Sequence, residues 1–344
     1  MEIRRSSCIF LVFLYGCLEP IEVITITRGG ELIISGQIST LEDQSEVTIG
    51  TTAETERLPF PVSSAVVVVY EDNDSLGTFI ESQTTEGKYI LKGHAGKPGS
   101  VYYIKVTLPG SKTYLSAPEK MPDDAGSVTS YYELAREDFV DGEGTLSEKN
   151  LIKIFASGSL PSADNQFFRW TVDEVYIIVA SNGPGSPFTS LPCFVSQPAD
   201  PQTFVLLNRQ NISAIEIPNK FVGQRIVDHT FLYKHYFVTY QSALTAEAYD
   251  YWRKVEVLIG GNGSLFDPPP AKIFGNIMGI EDQEAETVYG YFQAANQTVH
   301  RIYTNRSDFP YFLNFQDCQG TFPPQRCTDC LSVRNSSHER PPWF

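Results

Sequence analysis

Apolar and polar positions alternate in short runs through residues 31–121, and the runs end in Gly, Pro, Asn, Asp or Ser, the period-2 signature of strands that bury one face. Residues 31–38 and 45–49 read as such strands, Ala65-Val66-Val67-Val68-Val69-Tyr70 as a buried one, and residues 86–91 and 101–106 as two more. Asp72-Asn73-Asp74-Ser75-Leu76-Gly77 reads as a loop, because Asn and Asp side chains bond their own backbone and Gly takes positive φ. Short strands at this spacing predict a β-sandwich. Residues 122–150, rich in Asp, Glu, Gly and Ser, read as a connection with one strand near Val128.

A second block follows. Residues 167–179 place Phe168, Trp170, Val172, Tyr176 and Ile178 on one side and Arg169, Thr171 and Asp173 on the other, as a half-buried strand requires, and Asn182-Gly183-Pro184-Gly185 closes it. Residues 231–240 predict another strand. The period then changes: Ala248, Trp252, Val255 and Ile259 recur at helical steps, Thr245 can cap the start, Glu247 suits the positive end, Arg253 and Lys254 suit the other, and Gly260-Gly261 ends the run. One helix is expected, its apolar face lying on a sheet with Tyr249 and Trp252 as core. Gly275-Asn276-Ile277 and Val288-Tyr289-Gly290-Tyr291-Phe292 read as late strands of the same block.

The expected fold is mostly β: a sandwich over 31–121, a connection over 122–150, a second β-rich domain over 151–317 carrying one long helix near 246–259, and a Cys-rich tail over 318–344. Composition agrees with it. The chain has 344 residues, 42% hydrophobic and 12% aromatic, and is rich in Gly, Pro, Tyr and Phe while only 19% charged, which suits strands and turns over helical bundles. A formal charge of -15 excludes nucleic acid as a partner class, since phosphate binding rests on Lys and Arg excess.

The first residues read as an export signal: Arg4 and Arg5, an apolar stretch from Cys8 to Tyr15, then Leu14-Tyr15-Gly16-Cys17. This tetrapeptide resembles a bacterial lipoprotein box, which implies removal of residues 1–16, acylation of Cys17 and a tether over 17–30. Eight apolar positions are too few to span a hydrocarbon core of roughly 30 Å, so lipid chains are the expected membrane attachment. Cys193, Cys318, Cys327 and Cys330 remain, and four cysteines in an exported chain predict two disulfides, with Cys193 the long-range partner of a late cysteine. Three connectivities stay open. Cys327-Thr328-Asp329-Cys330 as half a zinc site would need two more ligands, and His338 alone lies nearby, so no metal is expected.

Catalytic patterns give no assignment. A nucleophile elbow, a zinc helix, a phosphate loop and a calcium loop are all missing from the sequence, and neither an enzyme nor a cofactor is expected. His229 and His235, six strand residues apart at about 3.3 Å each, read as ordinary strand positions, and Asp72-Asn73-Asp74 as a turn. Asn-x-Ser/Thr sites, among them Asn211, Asn262, Asn296, Asn305 and Asn335, would matter in a eukaryotic secretory protein, and Asp74-Ser75-Leu76 is similar to a bacterial O-glycosylation tripeptide.

The succession of a Ser-Gly strand, an Ala-Val strand, an acidic turn and Gly-x-Tyr resembles the carboxypeptidase-regulatory, transthyretin-like domains, which implies an Ig-like N-terminal sandwich. Along the whole mature chain the ordered motifs are more specific. They are the lipobox, Gly87-Lys88-Tyr89, the helix with Tyr251-Trp252, Leu265-Phe266-Asp267-Pro268-Pro269, Gly275-Asn276-Ile277, Gly290-Tyr291-Phe292, and a final Cys-x-x-Cys with Pro341-Pro342-Trp343. Together they resemble the Bacteroidota outer-membrane lipoprotein family called domain of unknown function 4249. The resemblance implies a lipid-anchored protein of the outer membrane, facing the cell surface, and a non-enzymatic accessory subunit of a TonB-dependent (SusC-like) transporter in nutrient capture. It supplies no catalytic or binding residues. The alternative expectation is a surface adhesin or glycan-binding module, with Tyr131, Tyr132 and Tyr311 as platforms for sugar rings.

Overall fold

The computed structural model describes residues 30–42, 44–52, 59–140, 144–161, 167–180, 191–200, 203–210, 216–260, 272–280, 288–313 and 324–344. The signal over 1–16, Cys17 with its tether, and Cys318 lie outside them. The fold is mostly β, as expected.

The first block holds β1 (Leu32–Ser39), β2 (Glu46–Thr51), β3 (Phe60–Pro61), β4 (Val66–Glu71), β5 (Asp74–Glu81), β6 (Lys88–Ile90), β7 (Val101–Thr107), β8 (Thr113–Ser116) and β9 (Glu119–Lys120). β1, β2, β3 and β6 form one layer, β5, β4, β7, β8 and β9 the other, and Ile34, Val47, Ile49, Val67, Val69 and Ile104 fill the space between. The expected loop over 72–77 shrinks to two residues. Asp72 and Asn73 take φ of 49° and 79°, the left-handed pair that closes a tight hairpin, and Asp74 already begins β5.

The expected connection over 122–150 is corrected by the structure. β10 (Ser127–Val140) and β11 (Leu146–Ser159) form a 14-pair antiparallel hairpin, and β15 (Glu216–Ile226) pairs with β11. The outer part of β10 exposes most of its side chains, so charge there reflects a solvated edge strand and imitates a linker in the sequence.

β12 (Phe167–Ile178), β13 (Cys193–Pro198), β14 (Val205–Asn208), β16 (His235–Leu244) and β19 (Phe292–Thr304) build a central sheet. The hairpin sheet packs on one of its faces around Phe168, Trp170, Val172, Ile152, Ile154 and Phe237. α1 (Ala246–Gly260) follows β16, β17 (Ile277–Gly279) and β18 (Val288–Tyr289) precede β19, and β20 (Ser336–Ser337) pairs with β13. Residues 231–240 do not form one strand: His229–Leu232 is a 3-10 turn capped by Asp228, and β16 starts after it.

The late strands are also placed differently from expectation. β17 pairs with β8, β18 with β1, and the first part of β19 runs parallel to β1 before the rest pairs with β16. Ile277, Val288 and Phe292 therefore belong to the core of the first sandwich. The motif residues explain themselves here. Asn276 donates to Phe292 O at 2.8 Å and accepts from its N–H at 2.9 Å. Gly290 sits at φ +91°, where a Cβ would lie 2.1 Å from the Ile34 carbonyl oxygen.

Candidate functional site

β12 is the central strand, and the structure buries it on both faces, not on one. Arg169, Thr171 and Asp173 project away from the hairpin sheet, with Arg169 directly opposite Ser242 and Ser242 opposite Gln297. Hydroxyls and amides continue this row: Gln297 donates to Ser242 Oγ at 2.8 Å and accepts from Ser39 Oγ at 2.6 Å. The result is a polar seam on the floor of the central sheet, between α1, the edge of the first sandwich and the tail.

At one end, α1 supplies Tyr251 and Trp252. Thr245 caps the helix through the Ala248 N–H at 3.1 Å, which sets the phase that turns both aromatics to the sheet. Trp252 Nε1 donates to Gln293 at 2.7 Å, and Gln293 donates to Gln37 at 2.9 Å, so the indole is fixed by an amide chain reaching β1. Tyr249 and Trp252 pack as expected, but the helix does not lie down along its length: Val257, Leu258 and Ile259 are exposed.

Arg169 lies 4.0 Å over the Trp252 ring and is only 7% exposed. Its Nε makes no hydrogen bond, and no described residue forms an ion pair or hydrogen bond with the guanidinium. Burying an ion costs on the order of several kcal/mol, and a desolvated cation–π contact returns about 2 kcal/mol. The contact with Trp252 thus leaves this charge undercompensated. Burial pulls the guanidinium down to about 10, against the field of Asp173, and it stays charged at neutral pH.

Asp173, two strand steps further along the same face, is pushed up to about 6, first by burial and then by Glu46. Glu46 is itself engaged by Lys88 at 2.6 Å on the sandwich edge. Next to α1, burial raises Glu119, although Thr245 donates to it at 2.6 Å and Tyr291 also donates to it.

A second buried polar cluster lies on the other face of β12. Glu174 accepts from Gln197 at 2.7 Å and Arg225 at 2.9 Å and meets His235 Nε2 at 3.1 Å, while Thr230 donates to Asp228 at 2.6 Å and approaches His235 Nδ1 at 3.3 Å. The hydroxyl–imidazole–carboxylate order is that of a nucleophilic relay. Here it is a structural tie: Thr230, His235 and Glu174 are all buried, the hydroxyl proton is committed to Asp228, and Phe231 stacks on the imidazole at 4.0 Å.

Of the cysteines, Cys193 and Cys330 form a disulfide with Cα atoms 5.8 Å apart, as the long-range pairing predicts. Cys327 is disulfide-bonded too, to a partner outside the described residues. His338 Nδ1 lies 3.7 Å from Cys193 Sγ, but two sulfurs joined to each other cannot serve as thiolate ligands, so this trio holds no metal while oxidised. The clip brings Trp343 and Phe344 onto Tyr236, at 5.2 and 4.7 Å, closing the far end of the seam. Of the tyrosines named as sugar platforms, Tyr132 and Tyr311 are half-buried and pack against the core between the sheets, and Tyr131 is 37% exposed in a row with Phe155 and Phe221.

Sequence reasoning placed Arg169, Thr171 and Asp173 on a common face but assigned them no role. Their partners come from α1, β1, β2 and β6, and period-2 patterning does not report which strands meet. No curated protein sequence matches the chain. The sequence profile of the family described as Domain of unknown function (DUF4249) matches residues 19–301, which takes in the first sandwich, the hairpin sheet, α1 and nearly all of β19, and leaves out the disulfide-clipped tail. The chain belongs to the DUF4249 family.

Proposed function

We propose that this protein is a non-enzymatic, lipid-anchored binding subunit of the outer membrane that captures a ligand beside a TonB-dependent transporter. The observation that carries the binding half of this reading is the seam: a fixed indole, an amide chain and an undercompensated guanidinium, all held on regular strands and one capped helix. Rigid elements of this kind hold polar groups ready for a ligand without reordering cost. The anchor half rests on Leu14-Tyr15-Gly16-Cys17 and the partner half on the Bacteroidota lipoprotein resemblance. A tether raises the local concentration at a membrane partner, so a modest interface suffices for occupancy.

Affinity purification in mild detergent from the native host, followed by mass spectrometry, tests the partner. A TonB-dependent barrel at near-equal amounts is expected, and a lipoprotein free of any barrel overturns that part. Cys17→Ser is expected to move the protein out of the membrane fraction, and unchanged fractionation would overturn the anchor.

The row formed by exposed Tyr131 and Phe221 with half-buried Phe155 favours a second reading, a glycan-binding module. Tyr131 and Phe155 stack on each other with centroids 5.4 Å apart, so one face of each ring is spent on the other. Sugar stacking needs open ring faces, which places this reading second. Selective retention on a neutral-glycan array, lost in Tyr131→Ala, would reverse the order.

A further inference from the structure

The chain carries 41 acidic and 26 basic residues, yet none of the described carboxylates makes an ion pair with Arg169. The nearest acid in its field, Asp173, stands two strand steps away. Its field reaches the guanidinium, but no ion pair joins the two, so the positive charge at Arg169 has no carboxylate in contact among the described residues. Ser242, directly opposite, accepts from Gln297, and the Gln293 amide is engaged by Trp252 and Gln37. These neighbours are thus satisfied among themselves, and the buried Arg169 Nε is not.

We propose, resting on the binding reading above, that Arg169 is the anchor for a carboxylate group of the captured ligand, held against the Trp252 face. A guanidinium presents paired donors in a plane that matches the two oxygens of a carboxylate, and the indole beneath fixes that plane. Thr171 and Asp173, next along the strand, are half-buried and accept hydrogen bonds from hydroxyl or amino groups on the same ligand. Asp173 and Glu46 also set the charge of that ligand, since a second negative charge near them is repelled. A singly charged carboxylate therefore fits the seam better than a phosphate dianion.

The test uses the acylated protein in detergent and follows the Arg169 Nε–H resonance and Trp252 emission during titration. Probes are acetate, galacturonate as a carboxylated sugar, galactose as its uncharged counterpart, and inorganic phosphate. Saturable shifts with acetate and galacturonate, none with galactose, and phosphate at least tenfold weaker are expected. Arg169→Gln should abolish the response, and Arg169→Lys, which keeps the charge without the fork, should weaken it at least tenfold. Thermal unfolding of Arg169→Gln without ligand separates anchoring from scaffolding: a midpoint equal to or above that of the parent agrees with a charge waiting for an outside partner. No saturable response to either carboxylate, preference for phosphate, or a midpoint that falls sharply in Arg169→Gln overturns the proposal. A barrel recovered by affinity purification with no carboxylate response would remove this ligand class and leave the subunit reading standing, and a carboxylate response with no barrel would do the reverse.

Discussion

Asp173 and Arg169 share one strand face, and burial acts on both in the same sense, against the charged form. For Asp173 the consequence is a pH dependence with a definite sign. Its folded pKa, about 6, lies above the ordinary carboxylate value, so the protonated form is the one the fold favours. Its contribution to stability is complete below about pH 4 and is lost as pH rises through about 6. Asp173→Asn removes the charged form, so parent and variant should melt alike near pH 4, and the variant should be more stable at pH 7 by about 1–3 kcal/mol. Urea titrations at the two pH values measure this, and a variant less stable at pH 7 would refute it. Glu119 shifts in the same direction through burial, so its ionisation also opposes stability as pH rises, at the junction of β9, α1 and Tyr291.

The tail is an element with little regular structure, fastened by β20, by Cys193–Cys330 and by the aromatic contacts of Trp343 and Phe344. The disulfide closes a separation of 137 residues; loop entropy for that span sets an upper figure of about 5 kcal/mol, and disulfides typically deliver about 2–4 kcal/mol through the unfolded state. Non-reducing peptide mapping should return Cys193–Cys330 and, from the remaining pair, Cys318–Cys327. The double variant Cys193→Ala with Cys330→Ala should lose about 2–4 kcal/mol and show a more solvated Trp343 emission. Recovery of free thiols at these positions would defeat this. Local chemistry made several elements legible in the sequence: Thr245 and Gly260 bound α1, and alternation found β1, β2, β4 and β7. β5 was hidden because Asp74, Ser75 and Gly77 are turn formers that here follow a two-residue turn, and β10 because an edge strand carries the charge of a linker. The seam was less legible still. Its face was visible as Arg169, Thr171 and Asp173, but burial of that face depends on Trp252, Glu46 and Gln293 arriving from distant segments.

Across the whole molecule, β19 decides whether two domains exist as separate units. Its first four residues pair with β1 of the sandwich and its last nine with β16 of the central sheet, so one strand is a member of both layers. Ile277, Val288, Phe292 and Ala294, all near or on that strand, fill the first core from a point in the sequence far beyond the expected boundary at residue 121. A fragment of residues 30–126 lacks all four. Truncating one large buried aliphatic or aromatic side chain costs about 2–5 kcal/mol, and a domain has about 5–15 kcal/mol in total, so losing several at once together with the β1 partner strand exceeds what the sandwich can sustain. The fragment should lack a cooperative melt. In the intact chain neither layer can unfold without stripping β19 from the other, so scanning calorimetry of the mature protein should show one transition with calorimetric and van't Hoff enthalpies in agreement. Two resolved transitions, or sharp melting of the fragment, would mean that the sandwich holds itself without β19. The seam would feel the same coupling, because Gln293 lies on the sandwich half of β19 and Gln297 on the central-sheet half, and a ligand bound between them should raise the midpoint of the whole molecule.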